Sequence, residues 1–218
     1  MAEILVEVLP LALAIALSPF PVIPSIMLLL TARPVAAGAA FLGGWVAGVT
    51  AALTVAVLVS AWVELAYGTP TWVSWVRLVL GAALIAFGVR KWLTRAQATS
   101  APAWMSSLSS ATPATGAKLG LLLSGANPKI LVLAAAAGLA IGAAEPALAE
   151  AAAVMVPFVL LSSLTVALPL FSYLVAGERV APPLRRARDW LETHNAAVLA
   201  VVFMAIGLMV LIEGISGL

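Results

Sequence analysis

The sequence predicts an all-α polytopic membrane protein of six transmembrane helices. They are expected as 3+3 inverted repeats with broken helices one and four, and with both termini outside. Three observations carry this. Of the 218 residues, 64% are hydrophobic and 9% charged, against about 25% charged in a soluble domain, so most of the surface must face lipid. Apolar runs long enough to cross a bilayer recur six times. The basic residues gather in alternate loops.

A span needs about 20 apolar residues at about 1.5 Å rise through a core of about 30 Å. The runs are Ile4–Leu30, Gly38–Val63, Trp72–Trp92, Leu119–Gly142, Ala149–Ala176 and Ala196–Gly217. The N-terminus lacks a basic n-region and an A-x-A-type cleavage site, so the first run reads as a span and not as a removed signal. Residues 94–117, rich in Ser, Thr, Ala and Pro, read as a flexible cytoplasmic linker. It separates a first three-helix half, 1–93, from a second, 118–218, together one membrane domain. An odd number of spans per half puts the halves in opposite orientations, the arrangement of inverted-repeat transporters.

Arg33, Arg90, Lys91, Arg95, Lys118, Arg179, Arg185, Arg186 and Arg188 all fall in loops on one side. They are nine of the eleven Lys and Arg; the others are Arg77 and Lys129. The positive-inside rule makes those loops cytoplasmic. Glu3, Glu7, Glu64, Glu145, Glu150 and Glu213 then lie toward the outside. After Pro182-Pro183, Leu184, Ala187 and Leu191 share a helical face beside Trp190, which reads as a short interfacial helix. It serves either as an anchor for span six or as a contact for anionic headgroups or a cytoplasmic partner.

The chemistry is expected at two helix breaks. Span one holds Ser18-Pro-Phe-Pro-Val-Ile-Pro-Ser25. Each proline lacks an N–H and displaces the carbonyl four residues earlier, so Pro19, Pro21 and Pro24 should free the carbonyls of Ile15, Leu17 and Phe20. At membrane depth such backbone must be satisfied by protein or a wet cavity. Span four holds Ser124-Gly-Ala-Asn-Pro-Lys129, where Asn127 and Lys129 are polar groups that lipid would not tolerate. Pro24 lies nine residues from Arg33 and Pro128 ten from Lys118, so both fall about 15 Å from the cytoplasmic edge. Matched breaks in the first helix of each half point to a binding site. The half-helices after them direct free N–H groups and partial positive charge to the centre, and Lys129, when protonated, adds a full charge. Ser18, Pro19, Pro21, Pro24, Ser124, Asn127, Pro128 and Lys129 are therefore the candidate substrate-binding residues, for an anionic group. In span five Ser162, Thr165, Pro169 and Ser172 share a face with Tyr173 nearby. They line a pathway or serve plain helix packing. Gly44-x-x-x-Gly48, Gly116-x-x-x-Gly120 and Gly138-x-x-x-Gly142 suit close helix contact, within the chain or between two copies.

Other chemistry is not expected. The absence of cysteine rules out disulfides and thiolate sites, and with His194 as the one histidine a transition-metal centre is not expected. The sequence holds no Ser–His pairing at a recognisable spacing, no intramembrane carboxylate cluster and no phosphate-binding loop. An enzyme, a cofactor and a nucleic-acid partner are not expected, and transport energy would come from a gradient or a partner.

The stretches LALSPFPVIPSIMLLL, ARP and AGAAFLGGWVAG, and LGLLLSGANPKILVLAAAAG from Leu119 to Gly138, resemble the GAP/Sap family, the glycopeptidolipid- and sulfolipid-addressing proteins of the LysE superfamily. The resemblance covers nearly all of the chain. Ser18, Pro19, Pro21, Pro24, Asn127, Pro128 and Lys129 fall on its motif positions. It implies a six-helix exporter of the cytoplasmic membrane that moves complex glycolipids toward the cell envelope. Three functions are open: an exporter of an anionic lipid or glycolipid, a small-solute exporter such as an amino acid carrier, and a non-transporting scaffold for a larger lipid-export complex. Membrane lipids, and either a second copy or lipid-export machinery, are the expected partners.

Overall fold

Closely spaced prolines disrupt a helix interior but can open a helix, because the first turn's N–H groups have no intrahelical partner. That rule sets the first break. In a computed structural model of the chain, α1 (Ala2–Ala16) stops and α2 (Pro19–Leu28) starts on Pro19, with the two axes bent by 52°. The structure describes residues 2–67, 72–94, 108, 111–142, 144 and 147–216. Residues 95–107 and 109–110 of the expected linker lie outside the described residues, as does Glu145; so do the side chains of Glu64, Arg77 and Glu213.

The remaining helices follow the apolar runs. They are α3 (Pro34–Tyr67), α4 (Trp72–Leu93), α5 (Pro113–Gly125), α6 (Pro128–Gly142), α7 (Leu148–Ala176) and α8 (Ala181–Ser216). Helix makes up 92% of the structure, with no strand among the described residues, so the all-α class holds. The stretches Pro34–Ser60 and Leu148–Leu191 are long and apolar enough to cross a membrane. The bent pairs α1/α2 and α5/α6, the latter bent by 57°, raise this to four by length and composition. Helices α4 and α8 cover the other two predicted runs.

Three details depart from the sequence reading. The break in the first span falls at Leu17-Ser18, not near Pro24, because Pro19 and Pro21 take the first turn of α2 and leave Pro24 inside a continuing helix. Helix α5 begins at Pro113, inside the segment expected as linker. Thr112 is its N-cap, accepting from the Thr115 N–H at 3.2 Å, and a proline at the first helical position is pre-set for helix. Residues 184–195 are not a separate interfacial helix but the opening turns of α8. No proline follows Pro183 before Ser216, so nothing interrupts the backbone bonds. Its 36 residues make a rod of about 54 Å, well beyond a core of about 30 Å.

Helix α3 is the spine of the packing. Phe41, Trp45, Val49 and Leu53 recur every fourth residue and all are fully buried, a stripe on one face. Helix α3 packs along α5 and α6, α7 along α1 and α2, and α4 along α8. Glycines set how close these pairs come. A Cβ on Gly44 would stand 2.1 Å from the Ala117 carbonyl oxygen, and one on Gly120 2.1 Å from that of Phe41. Between α4 and α8 a Cβ on either Gly81 or Gly207 would stand 2.8 Å from the other's carbonyl oxygen. The small-residue spacings at Gly44/Gly48 and Gly116/Gly120 are thus spent inside the chain, on backbone-to-backbone contact between α3 and α5. The outer surface is apolar, with Leu58, Trp62, Val79, Leu160 and Phe171 all more than half exposed, as suits a surface that meets lipid tails.

Candidate functional site

The break between α1 and α2 leaves the last four carbonyls of α1 in need of donors, and inside a membrane no water supplies them. All four are satisfied. The Leu17 N–H donates to Leu13 O at 2.8 Å and the Ser18 N–H to Ile15 O at 3.1 Å. The other two are capped from distant helices. Lys129, on the first turn of α6, donates from Nζ to Ala14 O at 2.9 Å, and Thr165, on α7, donates from Oγ1 to Ala16 O. Ile15, whose carbonyl was expected to be free, is therefore closed locally, and the carbonyls that reach other elements belong to Ala14 and Ala16.

The sign of this arrangement matters. The C-terminal end of a helix carries partial negative charge, so the Lys129 ammonium sits where the α1 dipole attracts it. Its other neighbour is the Phe203 ring of α8, with Nζ 5.4 Å from the ring centroid, within the range of a cation–π contact. Lys129 is half-buried. It joins three helices, α1, α6 and α8.

The second break is built by Asn127. Its Oδ1 accepts from the Lys129 N–H at 3.0 Å and its carbonyl accepts from the Leu131 N–H at 3.0 Å, the two bonds of a helix N-cap. Asn127 thereby aims the first turn of α6 and, with it, the Lys129 side chain. The breaks match as Ser18-Pro19 and Asn127-Pro128, each a polar residue followed by the proline that opens a helix.

The other candidates divide. Ser18, Pro19, Pro21, Pro24 and Ser124 are buried, whereas Pro128 is exposed. Ser124 donates to Gly120 O at 2.8 Å, Ser162 to Val159 O at 3.0 Å and Ser172 to Leu168 O at 2.8 Å. Each bonds a carbonyl three or four residues back on its own helix, the local bond available to serine in a helix. Among the expected pathway face, Thr165 alone reaches another element. Replacing Thr165 by Val keeps its shape and leaves the Ala16 carbonyl without that donor, at an expected cost of about 1 kcal/mol. Thr165→Ser should recover most of it, and unfolding of the three proteins in detergent reads the difference. Tyr173 lies elsewhere, on the wall of a cavity of about 750 Å³ that also holds Thr31, Glu178 and Arg185. Sequence reasoning missed Ala14, Ala16 and Phe203. The first two act through backbone atoms and the third is one apolar residue among many, so no side-chain signal marks them.

Among the described residues no group of His, Cys, Asp and Glu is placed to hold a metal ion. The family model described as Sap, sulfolipid-1-addressing protein, matches residues 8–216. No curated protein matches the chain, and no solved structure does.

Proposed function

The chain belongs to the Sap, sulfolipid-1-addressing protein, family, and from that premise we propose that it is a multi-pass secondary transporter that moves an anionic lipid or glycolipid across the cytoplasmic membrane toward the envelope. In this reading the basic loops face the cytoplasm and both termini face out. The chain crosses six times as two inverted halves. The packing of α3 on α5/α6, of α7 on α1/α2 and of α4 on α8 supports that symmetry, since an inverted repeat pairs the second helix of each half with the broken helix of the other. The same reading puts this chain among exporters of the LysE superfamily.

The observation that carries the proposal is the bond from Lys129 Nζ to the Ala14 carbonyl, a tie between the second half and the first at the break. A substrate carrying a full negative charge competes for the ammonium with a carbonyl, which offers only a partial one. A charge-assisted bond to an anion is the stronger of the two. When the headgroup takes Lys129, Ala14 loses its donor and the end of α1 is released from α6. Binding and the loosening of one half against the other are then one event, the coupling that alternating access requires. Return of Lys129 to Ala14 after the headgroup leaves restores the closed packing. The sequence carries no nucleotide-binding loop, so a gradient or a partner protein drives the cycle.

Purified protein in liposomes tests this. Labelled anionic glycolipid and anionic phospholipid, offered beside labelled amino acids, should change leaflet with the wild type and not with Lys129→Met. Movement of amino acids alone would replace the proposal with a small-solute exporter. No movement of either class by a folded protein would replace it with a scaffold.

A further inference from the structure

The corner between α7 and α8 is built by glycine and proline. Gly177 ends α7 at φ 59°, a left-handed backbone that glycine adopts without steric cost. A 3-10 turn, Gly177–Val180, follows, and Pro182-Pro183 sit in the first turn of α8, where their missing N–H groups lose nothing. This corner faces the turn after α2 across a cavity of about 750 Å³, within the range of about 300–1,000 Å³ of small-molecule sites. Thr31 lines it from the turn after α2, Tyr173 from α7, Glu178 from the 3-10 turn and Arg185 from α8. Lys129 is not on its wall.

The wall holds one charge of each sign, and the two do not meet. No ion pair joins Glu178 and Arg185, and neither bonds another described group. Both are exposed, so a ligand in the cavity can reach them. Thr31 already donates its hydroxyl proton to Leu28 O at 2.7 Å, so within the cavity it only accepts. Glu178, as a carboxylate, also only accepts; Arg185 only donates; the Tyr173 phenol does either. A bare anion satisfies Arg185 and is repelled by Glu178. A bare cation does the reverse. The two wall charges cancel, so the ligand that gains from both is itself neutral overall and carries both signs. Its ammonium donates to Glu178 and Thr31, and its anionic oxygens accept from Arg185 and Tyr173, which makes both ends charge-assisted. A sugar hydroxyl donates to Glu178 without a charge and is the weaker partner. The cavity also borders apolar surface. Leu174 and Val175, next to Tyr173 on the last turns of α7, are 53% and 88% exposed, and such a surface takes acyl chains.

We infer that the cavity bounded by Thr31, Tyr173, Glu178 and Arg185 binds a zwitterion, a primary ammonium and a phosphate on one short chain, as in an ethanolamine phospholipid headgroup. The bound headgroup ties the turn after α2 to the corner of α7 and α8. It is a ligand distinct from the anionic cargo of the transporter reading, and the site does not rest on that reading.

The test is calorimetric binding to the purified full chain in detergent. The probe is short-chain phosphatidylethanolamine, set against phosphatidylglycerol, which has the phosphate without the ammonium, and phosphatidylcholine, whose ammonium has no N–H to donate. The ethanolamine lipid should bind about tenfold tighter than either. Arg185→Gln should remove that advantage. Glu178→Gln should reverse it, with phosphatidylglycerol now the tighter ligand, a gain that a misfolded variant does not give. Arg186→Gln, next along the chain but off the cavity wall, should change nothing. Glycerophosphoethanolamine, the same headgroup without acyl chains, distinguishes the sources. Weaker binding than the lipid assigns the site to a membrane phospholipid, and equal binding assigns it to a soluble zwitterion. The inference is overturned if no probe binds, if phosphatidylglycerol matches phosphatidylethanolamine on the wild type, or if both cavity variants keep the wild-type preference. Binding of the ethanolamine headgroup by a chain that moves no lipid in liposomes removes the transporter and keeps the site.

Discussion

Lys129→Met is expected to abolish lipid movement and to lower stability by about 2 kcal/mol. Methionine keeps the length and apolar stem of lysine and removes the ammonium. Two contacts go with it: the 2.9 Å bond to Ala14 O and the approach to Phe203 at 5.4 Å. A hydrogen bond to a charged group contributes about 1.5–3 kcal/mol, and a cation–π contact about 0.5–2 kcal/mol. Against these stands the desolvation cost of the half-buried ammonium, which methionine does not incur. The balance turns on the orphaned carbonyl. Ala14 cannot find a donor along α1, because the next free N–H, that of Ser18, is already given to Ile15 O, and an unsatisfied buried acceptor costs about 1–3 kcal/mol. Lys129→Arg restores the charge and should recover at least half of the lost stability. Chemical unfolding in detergent, run beside the liposome assay, separates the two effects. A methionine variant as stable as the wild type would show that the tie between the halves contributes nothing.

Gly44→Ala and Gly43→Ala, neighbours on α3, are expected to move stability in opposite directions. A Cβ on Gly43 meets nothing within 4 Å, so alanine there only relieves the backbone entropy of glycine and should stabilise by about 0.5–1 kcal/mol. A Cβ on Gly44 stands 2.1 Å from the Ala117 carbonyl oxygen and 3.0 Å from the Leu121 nitrogen. Those are backbone atoms of a packed helix and cannot rotate away. The helices must separate, at about 1–3 kcal/mol for overpacking, and α5 is then displaced together with the break it leads into. Gly120→Ala, 2.1 Å from the Phe41 carbonyl oxygen, should repeat the loss from the other side of the contact. Equal unfolding midpoints for the Gly43 and Gly44 variants would show that α3 and α5 do not meet as closely as this.

Much of the fold is legible along the chain because hydropathy and proline act locally. Apolar runs mark the helices, and the pairs Ser18-Pro19 and Asn127-Pro128 open α2 and α6 wherever those helices are put. The glycine spacing of α3 and α5 likewise announces a close contact. Its partner could not be read, since two glycines four residues apart look the same whether they face another helix of the chain or another copy. The prolines of the first span misplaced its break by about a turn and a half. A run of three prolines says that a helix must restart, and only the backbone path shows that it restarts on the first of them.

The sequence by itself determined that this is a helical protein of apolar surface, with two broken helices and one lysine held at a break. Tertiary structure alone decided what that lysine does. It lies 115 residues from the carbonyl it caps, and Thr165 lies 149 residues from Ala16. The acceptors are backbone oxygens that every residue carries, so no side chain advertises them. Which carbonyls a break orphans depends on how the last turn of α1 closes on itself, and which donors arrive depends on the packing of α6 and α7 around it. In lipid those carbonyls cannot wait for water, so the packing that brings Lys129 and Thr165 to α1 also satisfies the break.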